Sequence, residues 1–194
     1  MSSGATAQST RTVAGASTPG VRLRLLEPGE SAVVLAVFAS MSPRSRELRF
    51  LSARPRLSDR DLRMLTAVDH RDHVAVVASV PPEHLPIGIG RFVRDQHEPE
   101  TAEVALAVVD AWQRKGVGTL LMRTLCGRAA EVGVRRLRVV ISPDNDVVRH
   151  MLTRTPAPVP LVHSDGWTME YTLALEDVPR PGAHRALSTM RQHQ

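Results

Sequence analysis

Apolar and polar positions divide the middle of this chain into short alternating runs and longer helical stripes. Val21–Leu26 reads as a brief strand closed by Pro28-Gly29. Ser31–Met41 is apolar almost throughout, and periodicity alone leaves helix and strand both open there. Ser58–Val68 predicts a helix: Ser58 is placed to cap it, and Leu62, Leu65 and Val68 recur at helical spacing. His73–Val80 predicts a strand stopped by Pro81-Pro82, Ile87–Arg94 a second, and Ala102–Val109 a third beyond a loop rich in Glu and Pro. Gly116–Val132 predicts a long helix ended by Gly133, Arg135–Ile141 a strand with Leu137, Val139 and Ile141 on one face, and Asn145–Arg154 a short helix. Leu161–His163 and Thr168–Leu175 predict a hairpin about Asp165-Gly166. Early helices, a run of strands, then strand–helix–strand–helix–strand make a mixed α/β domain.

Little at either end can be buried. Residues 1–20 are mostly Ser, Thr, Gly and Ala, and 178–194 hold two prolines, a glycine and scattered arginines. Both are expected to be tails around a domain at 21–177, the second flexible and basic. The ends also hold most of the net charge of +5: Arg11 in the first, Arg180, Arg185 and Arg191 in the second, with no acid in either. A nearly neutral body is a poor polyanion platform, and 3% aromatics is too few to stack single strands, so nucleic acid is not the expected partner. The lone cysteine, Cys126, rules out an internal disulfide and a multi-cysteine zinc site. His70 and His73 have metal-like spacing without a third ligand near them, so hydrogen-bonding or solvent roles are expected and no metal. No apolar run reaches the roughly 18 residues of a membrane span. The N-terminus lacks the basic and hydrophobic regions of a secretory signal, so the expected compartment is the cytoplasm.

The chemistry concentrates in Ala102–Leu121, AEVALAVVDAWQRKGVGTLL. A buried strand runs through a short turn into a long helix that opens on Gly116 and Gly118. Glycines there let the first, unpaired helix N–H groups approach an anion, and the helix dipole adds positive potential. Arg114 and Lys115 bring two cations to the same end. The segment reads as a diphosphate cradle. It is not a P-loop, since Lys115 precedes its glycines, nor a dinucleotide fingerprint, since Leu121 stands where the third glycine belongs.

Gln113-Arg114-Lys115-Gly116-Val117-Gly118 resembles the Q/R-x-x-G-x-G/A acetyl-CoA motif of the GNAT superfamily of N-acetyltransferases. The likeness extends from Val21 to about Leu175. SPRSRELRF (Ser42–Phe50) and VDHRDHVAVVA (Val68–Ala78) are similar to the bacterial Pat-type protein lysine acetyltransferases. The resemblance implies a mostly antiparallel central sheet with flanking helices, splayed between its fourth and fifth strands. It implies acetyl-CoA as cosubstrate, with its diphosphate on Gln113–Thr119 (Gln113, Arg114, Lys115, Gly116, Val117, Gly118 and Thr119) and its pantetheine on the backbone of Ala107, Val108 and Val109. It gives Asn145 a CoA-contacting or structural role, against a plain helix N-terminal one. It implies acetyl transfer to an amine, a protein lysine by the Pat likeness, from a monomer or homodimer.

The acceptor amine is protonated at neutral pH, so a base must take a proton before it attacks. Strand alternation puts Glu103, Ala105 and Ala107 on one face, where small neighbours leave room for a thioester and its acceptor. Glu103 is the expected base, and Pat-type enzymes carry a glutamate at the matching position. Arg49 and Phe50 are candidates for the acceptor side, with packing as the alternative. Many relatives have a tyrosine acid near the end of the helix after the fifth strand; here that stretch is Met151–Pro156, and the sole tyrosine is Tyr171. The acid is therefore unassigned, and a catalytically silent CoA-binding module is the alternative function.

Overall fold

In the computed structural model, residues 20–155 and 159–175 are described. The two expected tails fall outside these residues, Gly20 excepted. Strand β1 (Arg22–Leu25) is followed by three helices, α1 (Ser31–Ala39), α2 (Pro43–Phe50) and α3 (Asp59–Thr66), and then by β2 (His73–Val80), β3 (Leu85–Arg94) and β4 (Thr101–Val108). A single 3-10 turn, Asp110–Trp112, leads into α4 (Val117–Glu131), β5 (Arg136–Ile141), α5 (Asp146–Leu152), β6 (Leu161–Ser164) and β7 (Met169–Ala174). The strands form one sheet in the order β1-β2-β3-β4-β5-β7-β6. All neighbours run antiparallel except β4 and β5.

Helices cover both faces of the central strands, which explains why β2 is apolar on both sides. Val74, Val76, Phe92 and Val104 face α4, whose Leu121 and Leu125 are fully buried against them. Ala75, Val77 and Ile89 face the layer of α1 and α3, meeting Val34, Val37 and Leu65. Each large side chain so buried contributes roughly 1.5–3 kcal/mol. Gly90 sets how closely α4 lies on β3. A Cβ there would stand 2.7 Å from Leu125 Cδ1 and 2.8 Å from Leu106 Cδ2, so any side chain would make both leucine tips move.

Ser31–Met41, open to both readings in sequence, is helical over Ser31–Ala39. Its apolar residues are not striped, but Val34, Val37 and Phe38 recur at three- and four-residue spacing and are the ones buried. Ser58 caps α3 as expected, its Oγ accepting from Asp61 N, while the Asp61 carboxylate accepts from Ser58 N. Cys126 is buried among leucines of α4, and burial pushes its thiol up to about 12, which suits a core residue. Among the described residues no helix is long and apolar enough to cross a membrane.

Candidate active site

The parallel pairing of β4 with β5 is short. It joins Thr101 to Arg136, Ala102 to Leu137 and Glu103 to Arg138, and then the strands part. From Val104 to Val108, β4 is paired on its β3 side only. Val109 N–H donates to Ile87 O at 3.0 Å, so by antiparallel alternation Ala107 and Val109 direct their peptide groups to β3, and Leu106 and Val108 direct theirs into the gap. This corrects part of the expectation for the strand. Of Ala107, Val108 and Val109, only Val108 turns its backbone groups away from β3, and its carbonyl already accepts from Gln113 Nε2; Ala107 presents its side chain to the opposite layer.

The gap leads to the N-terminus of α4. Arg114 (φ 56°) and Gly116 (φ 84°) both adopt left-handed backbone, the second as the helix N-cap, where glycine is the least strained residue. No side chain caps this end, so its first N–H groups are left to another partner. Within the first turn, a Cβ on Gly118 would meet only Met151 Sδ, at 3.9 Å. Packing therefore does not require glycine at 118, and the open space above the N–H groups has the form of an anion cradle. Val117 is buried in the core and anchors the turn from beneath.

Two expected cradle residues are engaged elsewhere. Gln113 Nε2 donates to Val108 O at 3.1 Å and to Ser45 Oγ at 3.0 Å, bracing the turn against β4 and α2. Lys115 Nζ lies 5.1 Å from the centre of the Trp112 ring, a cation–π contact that leaves its charge beside the cradle. Among the described residues no side-chain hydrogen bond engages Thr119. Asn145 Oδ1 accepts from Val148 N at 3.2 Å, so it caps α5, the plainer of its two expected roles.

Asp110 is a residue the sequence reading did not single out. Its carboxylate accepts from Ser42 N and Ser42 Oγ, each at 2.8 Å, and from Ser45 Oγ at 2.7 Å. Burial raises its pKa, but the hydrogen bonds from Ser42 and Ser45 outweigh this and hold it below the usual 3.8. The start of α2 is thus fastened to the turn that precedes the cradle. Asp110→Ala should cost about 1 kcal/mol, as loss of a helix-end hydrogen-bonding group does. Because the folded pKa is depressed, this stabilisation is complete above the usual value and disappears as pH falls through the folded one. Urea titrations should show the full mutational difference at pH 7 and a progressively smaller one as the pH is lowered below 3.8.

Glu103 stands at the fork, the last β4 residue paired to β5, and it is exposed. Two arginines lie within electrostatic range. Arg138 is held above its ordinary value chiefly by the Asp95 carboxylate, which it meets at 2.6 Å, with Glu170 and Glu103 adding to the effect. Arg49 is pushed down to about 10 by burial, against the opposing charge of Glu103. On the Glu103 face, Ala107 borders a shallow open cleft of about 30 Å³ whose walls include Arg49, Phe50 and Arg91. Arg49 and Phe50, the candidates for the acceptor side, both line this cleft. His73 Nε2 stands 3.2 Å from Arg91 Nη1, which must donate, so the ring is neutral and carries its proton on Nδ1. Burial, then the Arg91 charge, lowers its pKa. His70 Nε2 lies 2.9 Å from Leu26 O, so both histidines are engaged in hydrogen bonds.

Residues 40–155, more than half of the chain, match the Acetyltransferase (GNAT) family. The chain belongs to that family. It is 36% identical over 96 residues to the acetyltransferase Pat of Mycolicibacterium smegmatis, a match covering 50% of this chain and 29% of Pat. The chain thus corresponds to less than a third of that relative's length. The GNAT domain of S. lividans Pat superposes with a TM-score of 0.73 at 24% identity, covering 79% of this chain and 90% of that domain. The structure of yncA from Salmonella typhimurium, determined with acetyl-CoA, superposes with a TM-score of 0.63 at 18% identity, covering 84% and 99%. At these identities the structural likeness establishes the GNAT fold: the mixed sheet, the β4/β5 fork and the flanking helices.

Proposed function

We propose that this GNAT domain transfers an acetyl group from acetyl-CoA to an amine by direct attack, with Glu103 as the base. The observation that carries the reading is the fork. β4 leaves outward the peptide groups of Leu106 and the N–H of Val108, and the gap ends at a glycine-opened helix N-terminus flanked by Arg114 and Lys115. An extended amide chain can hydrogen-bond to the free strand side while its diphosphate meets the cradle. The residues present fit acetyl-CoA: Gly116, Val117, Gly118 and Thr119 would hold the diphosphate, Val108 the pantetheine, and Gln113 would keep the turn in place.

In transfer, the amine nitrogen forms a bond to the thioester carbonyl carbon and the C–S bond breaks. The protonated amine gives up two protons: one to Glu103, directly or through water, before attack, and a second from the tetrahedral adduct to water as the C–S bond breaks, while the departing thiolate takes up one from water. Tyr171 lies on β7, its hydroxyl turned toward Met169 Sδ at 3.9 Å. The likeness to Pat favours a protein lysine as the acceptor. Calorimetry with acetyl-CoA, followed by thiol-release assays on a panel of amines, tests the proposal. Saturable binding with turnover is expected. Absence of acetyl-CoA binding by the folded protein would overturn it, and binding without turnover on any amine would leave a CoA-binding module instead.

A further inference from the structure

The nearly neutral body of the chain is made of unlike parts. Residues 43–66, which hold α2 and α3, carry seven arginines against three acids, whereas the rest of 21–177 carries fourteen cations against seventeen acids. Several of these arginines are answered locally. Arg44 meets Glu47 and Asp144, Arg54 meets Asp61, and Arg46 donates to the carbonyls of Phe38, Ala39 and Pro55. Arg49 lies over the Phe50 ring, within electrostatic range of Glu103. Arg56, Arg60 and Arg63 are different: they are exposed and make no hydrogen bond or ion pair among the described residues. Arg60 and Arg63 are neighbours on the outer face of α3, and Met64, 62% exposed, lies on the same side. Arg60 stands in the first turn, where a cation opposes the helix dipole, so the stability of α3 gives no reason for its charge. Arg56 precedes Leu57, which lines the same cleft as Arg49 and Phe50. The three arginines thus run outward from the rim of that cleft along α3.

Arginine and methionine are enriched in protein interfaces, and three exposed cations of one sign call for an anionic partner. α3 carries no aromatic side chain on which a base could stack, so a polypeptide suits this surface better than a nucleic acid. We propose that Arg56, Arg60 and Arg63 dock an acidic segment of a protein acceptor, so that the lysine presented to Glu103 is one with a run of aspartate or glutamate a few residues away. The inference rests on the acetyl-transfer reading above. From Arg56 to Arg63 is about 10 Å of mostly helical chain, and an extended acceptor spans that in about three residues. The layout sorts charge on the acceptor: the lysine ammonium goes to Glu103 and its acids to the arginines, while a lysine flanked by arginine is repelled.

The test uses the full chain, acetyl-CoA and end-blocked peptides with one central lysine, flanked on either side by three glutamates, three glutamines or three arginines. Thiol release should give a kcat/KM about tenfold higher for the glutamate than for the glutamine peptide, the effect of about three exposed ion pairs, and lowest for the arginine peptide. The advantage should reside in KM and shrink as salt is raised, because exposed charges are screened. In the triple variant Arg56→Gln/Arg60→Gln/Arg63→Gln it should fall to about one. Arg60→Gln alone should remove part of it without lowering the melting temperature, since that charge opposes its helix dipole. Arg123→Gln, the same charge change on the exposed side of α4, should remove none. Should no peptide turn over, fluorescence anisotropy of the labelled glutamate and glutamine peptides decides: tighter binding of the glutamate peptide, lost in the triple variant, supports the proposal, and equal or absent binding overturns it. Equal rates for the two peptides, or an advantage that the triple variant keeps, would also overturn it. So would a single-stranded oligonucleotide of the same length that binds the wild type more tightly than the glutamate peptide and loses that affinity in the triple variant, which would assign the surface to nucleic acid. In each of these cases intact acetyl-CoA binding leaves the transferase reading standing, whereas absence of that binding by the folded wild type removes the reading itself.

Discussion

A Gly118→Asp protein should fold as the wild type does and bind acetyl-CoA about a hundredfold more weakly. Two unit charges about 4 Å apart repel by about 1 kcal/mol in bulk water and about 4 kcal/mol near a protein surface, which brackets that loss. The structure makes the substitution selective. A Cβ at 118 meets nothing closer than Met151 Sδ at 3.9 Å, so the fold has room for a side chain. An aspartate in the first turn also complements the helix dipole, contributing about 0.3–1 kcal/mol in favour of α4. Melting temperature should therefore hold or rise while affinity falls, a combination that misfolding cannot produce. Gly118→Ala separates volume from charge: it should gain up to about 1 kcal/mol of helix stability and lose much less affinity. Wild-type affinity in Gly118→Asp would exclude this helix end as the diphosphate site.

The sequence was informative wherever local pattern and local chemistry agree. β2 and the helix α4 came close to their observed bounds, because Pro81-Pro82 and Gly133 are strong stops beside strongly patterned runs. α2 was harder to read. PRSRELRF has no apolar stripe and buries no residue fully; what defines it is Pro43 at its start, the Ser42 cap and the Asp110 carboxylate. That carboxylate is 68 residues away in the chain, and no local rule anticipates such a contact.

The site shows the same division. Glu103 and the glycines of the proposed cradle could be singled out because a strand's two-residue period and a helix start leave marks in sequence. Gln113 matched a motif, but its side chain reaches across to Ser45 and back to Val108, a bracing role that a motif cannot convey. Arg91 sits in GIGRFVR, an ordinary alternating strand. Only the folded sheet shows that its charge lies 7% exposed beside a second arginine. The direction of the β4 peptides was equally hidden: it depends on the register with β3, which sets Val108 outward and Ala107 inward.

Glu103→Gln should lower kcat by about 10² to 10⁴, the usual consequence of removing a general base. Glutamine keeps the size and polarity of the side chain but cannot accept a proton at neutral pH. Glu103 is exposed and lies at the fork, five residues and roughly 17 Å of strand from Val108. Acetyl-CoA affinity should thus change little, and neither should the melting temperature, because no hydrogen bond of the Glu103 side chain holds the fold. Part of the lost rate should return at high pH, where more of the acceptor amine is already neutral and the base is less needed. The variant also removes the charge that opposes the burial of Arg49, so any change in acceptor KM should track acceptor charge, while the fall in kcat should be common to all acceptors. That split separates proton transfer from acceptor binding. An active Glu103→Gln enzyme with an unaltered pH profile would remove Glu103 from the chemistry and direct attention to a water held at the fork, where the β4 peptides first turn free of β5.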